Sequence, residues 1–252
     1  MSAPLLPPRA VMQDLVARSL AEDLGMGDVT TQALFHANVP ARGTILAEEP
    51  EGLVLAGLAV ALEVFAQVDP SLACMPSFAD GDRLPAGATV LTITGDGRSM
   101  LKGERVALNF LQRLSGIATL TAKFCNAVKG FKTRIVDTRK TTPGMRALEK
   151  WAVTLGGGWN HRQSLGDGIL VKDNHLALAG GDVAKACRLA REGAPHGLKI
   201  EVEVQSLEAV HAALDGGADI ILLDNMEVPA IRKAVLFIKG RATVEVSGGV
   251  TI

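Results

Sequence analysis

Cysteine, an excess of charge of one sign, and long apolar runs are all scarce in this chain. Only three of its 252 residues are cysteine. Cys74, Cys125 and Cys187 are odd in number, widely spaced and set among apolar neighbours such as Ala73, Met75, Phe124 and Ala186. Neither a disulfide framework nor a zinc site fits, and small buried hydrophobes are expected instead. Lys+Arg 26 against Asp+Glu 27 leaves a net charge of -1. That balance argues against nucleic acid or an anionic membrane as the main partner and confines anion binding to a local patch. Apolar runs stop well short of the roughly 18 residues a bilayer requires, and no basic-then-apolar leader opens the chain. The expectation is a soluble, cytoplasmic protein. Material for burial is plentiful: 48 % hydrophobic residues against 21 % charged can fill one large core or two smaller ones and exclude disorder.

The chain reads as two halves. From Pro4 to about Gly130 the elements are mixed. Val11, Leu15, Leu20 and Leu24 recur near helical spacing over Arg9 to Leu24, with Gly25 as the stop. Ala41 to Ala47, Gly52 to Leu55 and Thr89 to Thr94 read as strands, Leu58 to Val68 as a helix, and Asp80 to Pro85 as a turn-rich connection. Phe110, Leu114, Ile117, Phe124 and Val128 form one stripe of a long helix over Ser99 to Val128. A break is expected at Ser115-Gly116, because glycine costs about 1 kcal/mol inside a helix.

After Lys132 short apolar runs end in polar clusters and alternate with helical segments. The runs are Arg134 to Val136, Ile169 to Val171, Ile200 to Val204, Ile220 to Leu223 and Val244 to Val246. Five strands in such alternation imply a parallel sheet with its polar strand ends on one rim, where α/β barrels keep their chemistry. The 120 residues from Thr133 to Ile252 are too few for a whole barrel of about 250.

The rim and its loops collect Arg139, Lys140, Arg146, His161, Arg162 and Lys172. On a nearly neutral globule this concentration points to a polyanionic ligand, since arginine forks match carboxylate and phosphate oxygens and lysine adds a mobile charge. A solvated basic face is the blander explanation. Glu201 and Glu203 share one face of their strand. Facing the barrel interior they need cations or a metal to offset repulsion and desolvation; facing the helices, lysines would satisfy them. Asp224 ends a buried strand at the rim. Ser247-Gly248-Gly249 lets backbone N–H groups approach a phosphate, whereas Gly156-Gly157-Gly158 reads as a mobile loop delivering His161 and Arg162. Together these residues suit transfer chemistry on a phosphorylated sugar. No Ser-His-Asp, Cys-His or HExxH arrangement emerges, and no GxGxxG follows a strand.

Eight strings, in order along nearly the whole chain, resemble one family. They are EDLGMGDVTT (22 to 31), ERVALNFLQRLSGIATLT (104 to 121), DTRKTTPGMRALEKWAV (137 to 153), GGGWNHR (156 to 162), DGILVKDNH (167 to 175), EVEV (201 to 204), DIILLDN (219 to 225) and EVSGGV (245 to 250). The family is the quinolinate phosphoribosyltransferases, also called nicotinate-nucleotide pyrophosphorylases. DTRKTTPG and KDNH are long and chemically unusual, which makes the resemblance specific.

The resemblance implies an N-terminal α/β sandwich domain (1–130, with the long connecting helix) and a C-terminal open α/β barrel of fewer than eight strands (131–252), short by about one strand-helix unit. It implies that quinolinate and 5-phosphoribosyl 1-pyrophosphate give nicotinate mononucleotide, pyrophosphate and carbon dioxide with Mg2+, on the de novo route to NAD. By matching motif, Arg139, His161, Arg162 and Lys172 would contact the quinolinate carboxylates, with Arg105 entering from the neighbouring subunit of a homodimer. Lys140, Glu201 and Asp224 would face the ribosyl pyrophosphate, the two carboxylates also its metal, and Ser247, Gly248 and Gly249 would lie near phosphate. His175 is carried over as a further binding residue. Two other readings remain: a Schiff-base lyase with Lys172 as the amine, and a molybdenum-transport-associated relative of the same fold.

Overall fold

Apolar spacing places the bounds of the first element, but Met12, Val16 and Leu20 form its buried stripe and Val11 is exposed. In the computed structural model, which describes residues 6–252, α1 spans Arg9–Leu24, buries Met12, Val16 and Leu20, and ends where the N–H of Gly25 returns to Ala21. There follow α2 (Val29–Leu34), β1 (Pro40–Leu46), β2 (Leu53–Val54), α3 (Leu58–Val68), β3 (Ala73–Pro76), β4 (Arg83–Leu84), β5 (Thr89–Asp96), α4 (Gly97–Ala127) and α5 (Arg146–Leu155). The spacing missed α2 and β3, and β4 lies inside the stretch read as a turn-rich connection, where pairing with β2 defines it. α2 depends on its Asp28 cap, which accepts from the Thr31 N–H, and β3 on pairing with β5.

β1, β5 and β3 form an antiparallel sheet with β5 central, and β2 pairs with β4. α4 crosses without the expected break. Ser115 Oγ donates to the Ala56 carbonyl and accepts from the Ala56 N–H, both at 3.0 Å. The hydroxyl therefore ties the helix to the chain after β2, and Gly116 lies on the open side with nothing where a Cβ would go. α5 joins the same core through Leu148, Trp151 and Ala152.

Chain packing divides at His161, giving the units Met1–His161 and Arg162–Ile252. Residues 131–161 thus pack with the first unit, because α5 lies on α4. The second unit contains β6 (Ile169–Val171), α6 (Asp173–Leu178), α7 (Val183–Gly193), β7 (Ile200–Val204), α8 (Leu207–Asp215), β8 (Ile220–Asp224), α9 (Val228–Ile238) and β9 (Thr243–Ser247). Its strands form a parallel sheet in the order β6-β7-β8-β9. Four strands, not five, make this sheet among the described residues. Arg134 to Val136 makes only the bridge of Val136 with Trp159.

Register decides which face of this sheet is which. Val171, Val202, Val204, Ile221 and Leu223 pack with Ala186, Cys187, Val210, Ala213, Ala234 and Ile238 of α7, α8 and α9. Alternation turns Glu201, Glu203, Asp224, Glu245 and Ser247 to the opposite face. Glu201 and Glu203 therefore point away from the helices.

Candidate active site

The first unit holds the segment Asp137 to Thr142. Its entry runs beside residues 159–161: the Trp159 N–H donates to Ile135 O at 2.8 Å and the Asp137 N–H to Trp159 O at 3.0 Å. The Asp137 carboxylate then takes the His161 N–H at 2.8 Å and the Lys150 ammonium, while Lys150 Nζ also donates to the His161 carbonyl at 3.0 Å. Burial pushes the Asp137 carboxyl upward, and the Lys150 and His161 donors pull against it. The far end is fixed by Glu149. It accepts from the Thr142 N–H (3.1 Å), Thr142 Oγ1 (2.8 Å) and Arg113 Nε (2.9 Å). Burial opposes ionisation of Glu149, yet the Thr142 and Arg113 donors outweigh it and hold its carboxyl below the usual value.

Between these anchors stand Arg139 and Lys140. Arg139 is half-buried, and its Nε and Nη1 are both buried with no hydrogen-bond partner. Leaving such donors unmet costs about 1–3 kcal/mol each, more for a charged group. Carboxylate and phosphate oxygens are the acceptors that match such donors. Lys140 is exposed, and Arg105 is exposed on α4. Arg146 Nε donates to Thr141 Oγ1 at 3.1 Å.

The glycine triplet does not form the expected loose loop. A Cβ on Gly156 would strike the Ala118 carbonyl and come within 2.7 Å of Thr121 Cβ; one on Gly158 would lie 2.7 Å from Val153 Cγ1. These glycines permit close packing of the α5 terminus against α4, and that packing sets where Trp159 to His161 run.

In the second unit, Arg162 Nη1 donates to Gly168 O at 2.8 Å. Lys172 Nζ donates to Glu203 Oε2 at 2.7 Å. Glu203, which faces away from the helices, is thus offset by a cation, as the sequence reading required of an inward-facing carboxylate. His175 is exposed, and its Nδ1 accepts from the Lys172 N–H at 2.9 Å, closing the first turn of α6.

Glu201 is buried at 3 % exposure. Asp224 sits at the strand end, where Oδ1 accepts from Ser247 Oγ (2.7 Å) and Oδ2 from Asn225 Nδ2 (2.7 Å) and Gln205 Nε2 (3.3 Å). Glu201 is in register with Ile220, so Asp224 lies roughly 13 Å further along at roughly 3.3 Å per residue. One ion ligated directly by both carboxylates does not fit this spacing. Asp224 with the Ser247 hydroxyl offers the hard oxygen donors that suit magnesium. Gly248 and Gly249 turn the chain at φ 82 and 66, a conformation glycine adopts freely. Asn225 was missed by sequence reading; it holds φ 51 and its N–H donates to Ser247 O at 2.9 Å.

Comparison with known proteins identifies the family. Residues 28–115 match the N-terminal domain of the quinolinate phosphoribosyl transferases and residues 117–252 the C-terminal domain. A probable nicotinate-nucleotide pyrophosphorylase (carboxylating) of Synechocystis sp. is 42 % identical over 98 % of this chain and 83 % of its own. The nicotinate-nucleotide pyrophosphorylase (carboxylating) of Mycobacterium leprae is 44 % identical over 95 % and 85 %. The crystal structure of NadC from Streptococcus pyogenes superposes with a TM-score of 0.91 at 44 % identity, covering 98 % of this chain and 86 % of that one. With both domain matches, these identities and that fold in agreement, the chain belongs to the quinolinate phosphoribosyl transferase family.

Proposed function

We propose that this chain transfers the phosphoribosyl group of 5-phosphoribosyl 1-pyrophosphate to quinolinate, giving nicotinate mononucleotide, pyrophosphate and carbon dioxide in de novo NAD synthesis. Family membership supports the reaction, and the buried, unmet Nε and Nη1 of Arg139 carry the assignment of an anionic substrate. Arg139, His161, Arg162 and Lys172 take the pyridine carboxylates. Lys140, Glu201, Asp224 and the Ser247 to Gly249 turn serve the ribosyl pyrophosphate.

The nitrogen lone pair of the pyridine forms a bond to the ribose anomeric carbon while the bond from that carbon to pyrophosphate breaks, its electrons leaving with pyrophosphate. Positive charge on the ribose ring is offset by a carboxylate such as Glu201. The resulting pyridinium then accepts the electrons of the adjacent carbon–carboxylate bond as carbon dioxide leaves, and the ring carbon takes a proton. Cationic side chains reduce the repulsion between two anionic reactants and fix their geometry. Asp224 and Ser247 would hold magnesium, which would supply positive charge to offset that of the leaving group.

Incubation of the purified protein with quinolinate, phosphoribosyl pyrophosphate and magnesium is expected to yield the mononucleotide; absence of product refutes the assignment. Arg105 is proposed to act across a homodimer interface. Heterodimers of Arg105→Ala and Arg139→Ala subunits then regain activity, and verified heterodimers without recovery would disprove sharing.

A further inference from the structure

The proposed mechanism leaves Lys150 unused, although its ammonium is among the most deeply buried charges in the first unit, at 1 % exposure. It projects from α5 into the start of the Asp137 to Lys140 segment. There it donates to Asp137 Oδ1 and to the His161 carbonyl. The same Asp137 oxygen accepts the His161 N–H, and Oδ2 accepts the Asn160 amide at 2.6 Å in the orientation that satisfies both groups. Both carboxylate oxygens are therefore committed, and the ammonium ties the segment at residue 137 to the one at residue 161.

This matters because Asp137 lies two residues before Arg139. A carboxylate so near is the natural partner for a guanidinium with two unmet donors. Asp137 instead pairs with Lys150, and Arg139 keeps its Nε and Nη1 unbonded. Glu149, the other buried acid beside the segment, is likewise occupied by Arg113 and Thr142. Each acid near the segment has its own cation or donor set, and the charge of Arg139 is left over.

We infer that Lys150 is a positioning residue for substrate carboxylate recognition: it neutralises and holds Asp137, which keeps Arg139 available and fixes His161 beside it. This inference rests on the quinolinate assignment above. A lysine that served packing alone would change stability without discriminating between substrates.

The test is steady-state kinetics of the intact protein with each substrate varied. Lys150→Met, close in shape and uncharged, is expected to raise KM for quinolinate by about tenfold or more, the loss from one charge-assisted contact, while KM for phosphoribosyl pyrophosphate stays within about threefold. Adding Asp137→Asn removes the carboxylate that would capture Arg139, and the double variant is expected to recover most of the lost quinolinate affinity. Equal changes in both KM values, a lowered melting temperature alone, or a double variant no better than the single one would overturn the inference. Should Lys150→Met fail to fold, Lys150→Gln keeps a donor for the His161 carbonyl and takes its place; failure of both makes the pair a requirement of folding and also overturns it. Wild-type protein that forms no mononucleotide would sink the quinolinate assignment itself, whereas active wild type with the wrong variant pattern sinks only the role of Lys150.

Discussion

Lys172 Nζ and Glu203 Oε2 lie 2.7 Å apart, joining the end of β6 to the neighbouring strand β7. An ammonium engaged by a carboxylate is a charge partner, not a free amine, and this pairing weighs against the Schiff-base lyase reading. Borohydride treatment in the presence of a carbonyl compound is expected to leave the mass of the Lys172 peptide unchanged; a reduced adduct there would restore the lyase. Glu203→Gln removes the charge that holds Lys172 and is expected to weaken quinolinate binding several-fold, on the order of 1 kcal/mol, in equilibrium titrations.

Arg139→Ala should weaken binding of a pyridine dicarboxylate by about tenfold to a hundredfold, the range for losing a charge-assisted hydrogen bond. A pyridine monocarboxylate should lose much less, because one fork partner is absent from it already. Calorimetric titration of both ligands decides; equal losses contradict the assignment.

Gly248→Ala should impair the turn after β9. Its φ of 82 disfavours any side chain, and a Cβ would overlap the Asn225 amide, whose backbone nitrogen lies 2.9 Å from that position. KM for phosphoribosyl pyrophosphate is expected to rise by about tenfold or more while quinolinate affinity holds within about threefold. The reverse pattern would remove the turn from the phosphate site.

Gly116→Ala should stabilise the protein. The position is helical, exposed and open where a Cβ would stand, so alanine gains about 0.5–1 kcal/mol of helix propensity and raises the melting temperature by about 1–3 °C. A fall in melting temperature would mean that Gly116 bends or packs in a way these contacts do not include.

Asp96 gives an acid-sensitive contribution. It caps α4, and hydrogen bonds from the Arg98 side chain, then the Val39 and Arg98 N–H groups, hold its carboxyl at about 2 against an ordinary 3.8. Because the folded value is depressed, the stabilisation is present above about pH 4 and is lost as pH falls toward the folded value. Glu149, also held low, acts in the same sense. Melting curves from neutral pH into acid should show a decline below about pH 4 that is shallower in Asp96→Asn. An unchanged slope would remove Asp96 from the acid response.

The sequence alone determined what depends on near neighbours. Apolar spacing placed α1 and α3 at their observed ends and found the four strands of the second sheet, because periodicity marks stretches able to bury one side, although packing chose Met12, Val16 and Leu20 as the buried side of α1 and left Val11 exposed. The unusual strings carried the family and the cationic candidates. Tertiary structure decided what depends on partners far along the chain. α4 stays whole across Ser115-Gly116 because Ala56 receives the hydroxyl, and Gly156 and Gly158 are packed against α4 and α5 side chains instead of forming a loose loop. The segment at Arg134 to Val136 made one bridge instead of a strand. Register turned Glu201 away from the helices and separated it from Asp224. Whether a lysine such as Lys150 is a solvated charge or a buried counter-ion is set by an aspartate 13 residues away, and no local propensity encodes that meeting; only the packed chain brings the two charges together and excludes water from between them.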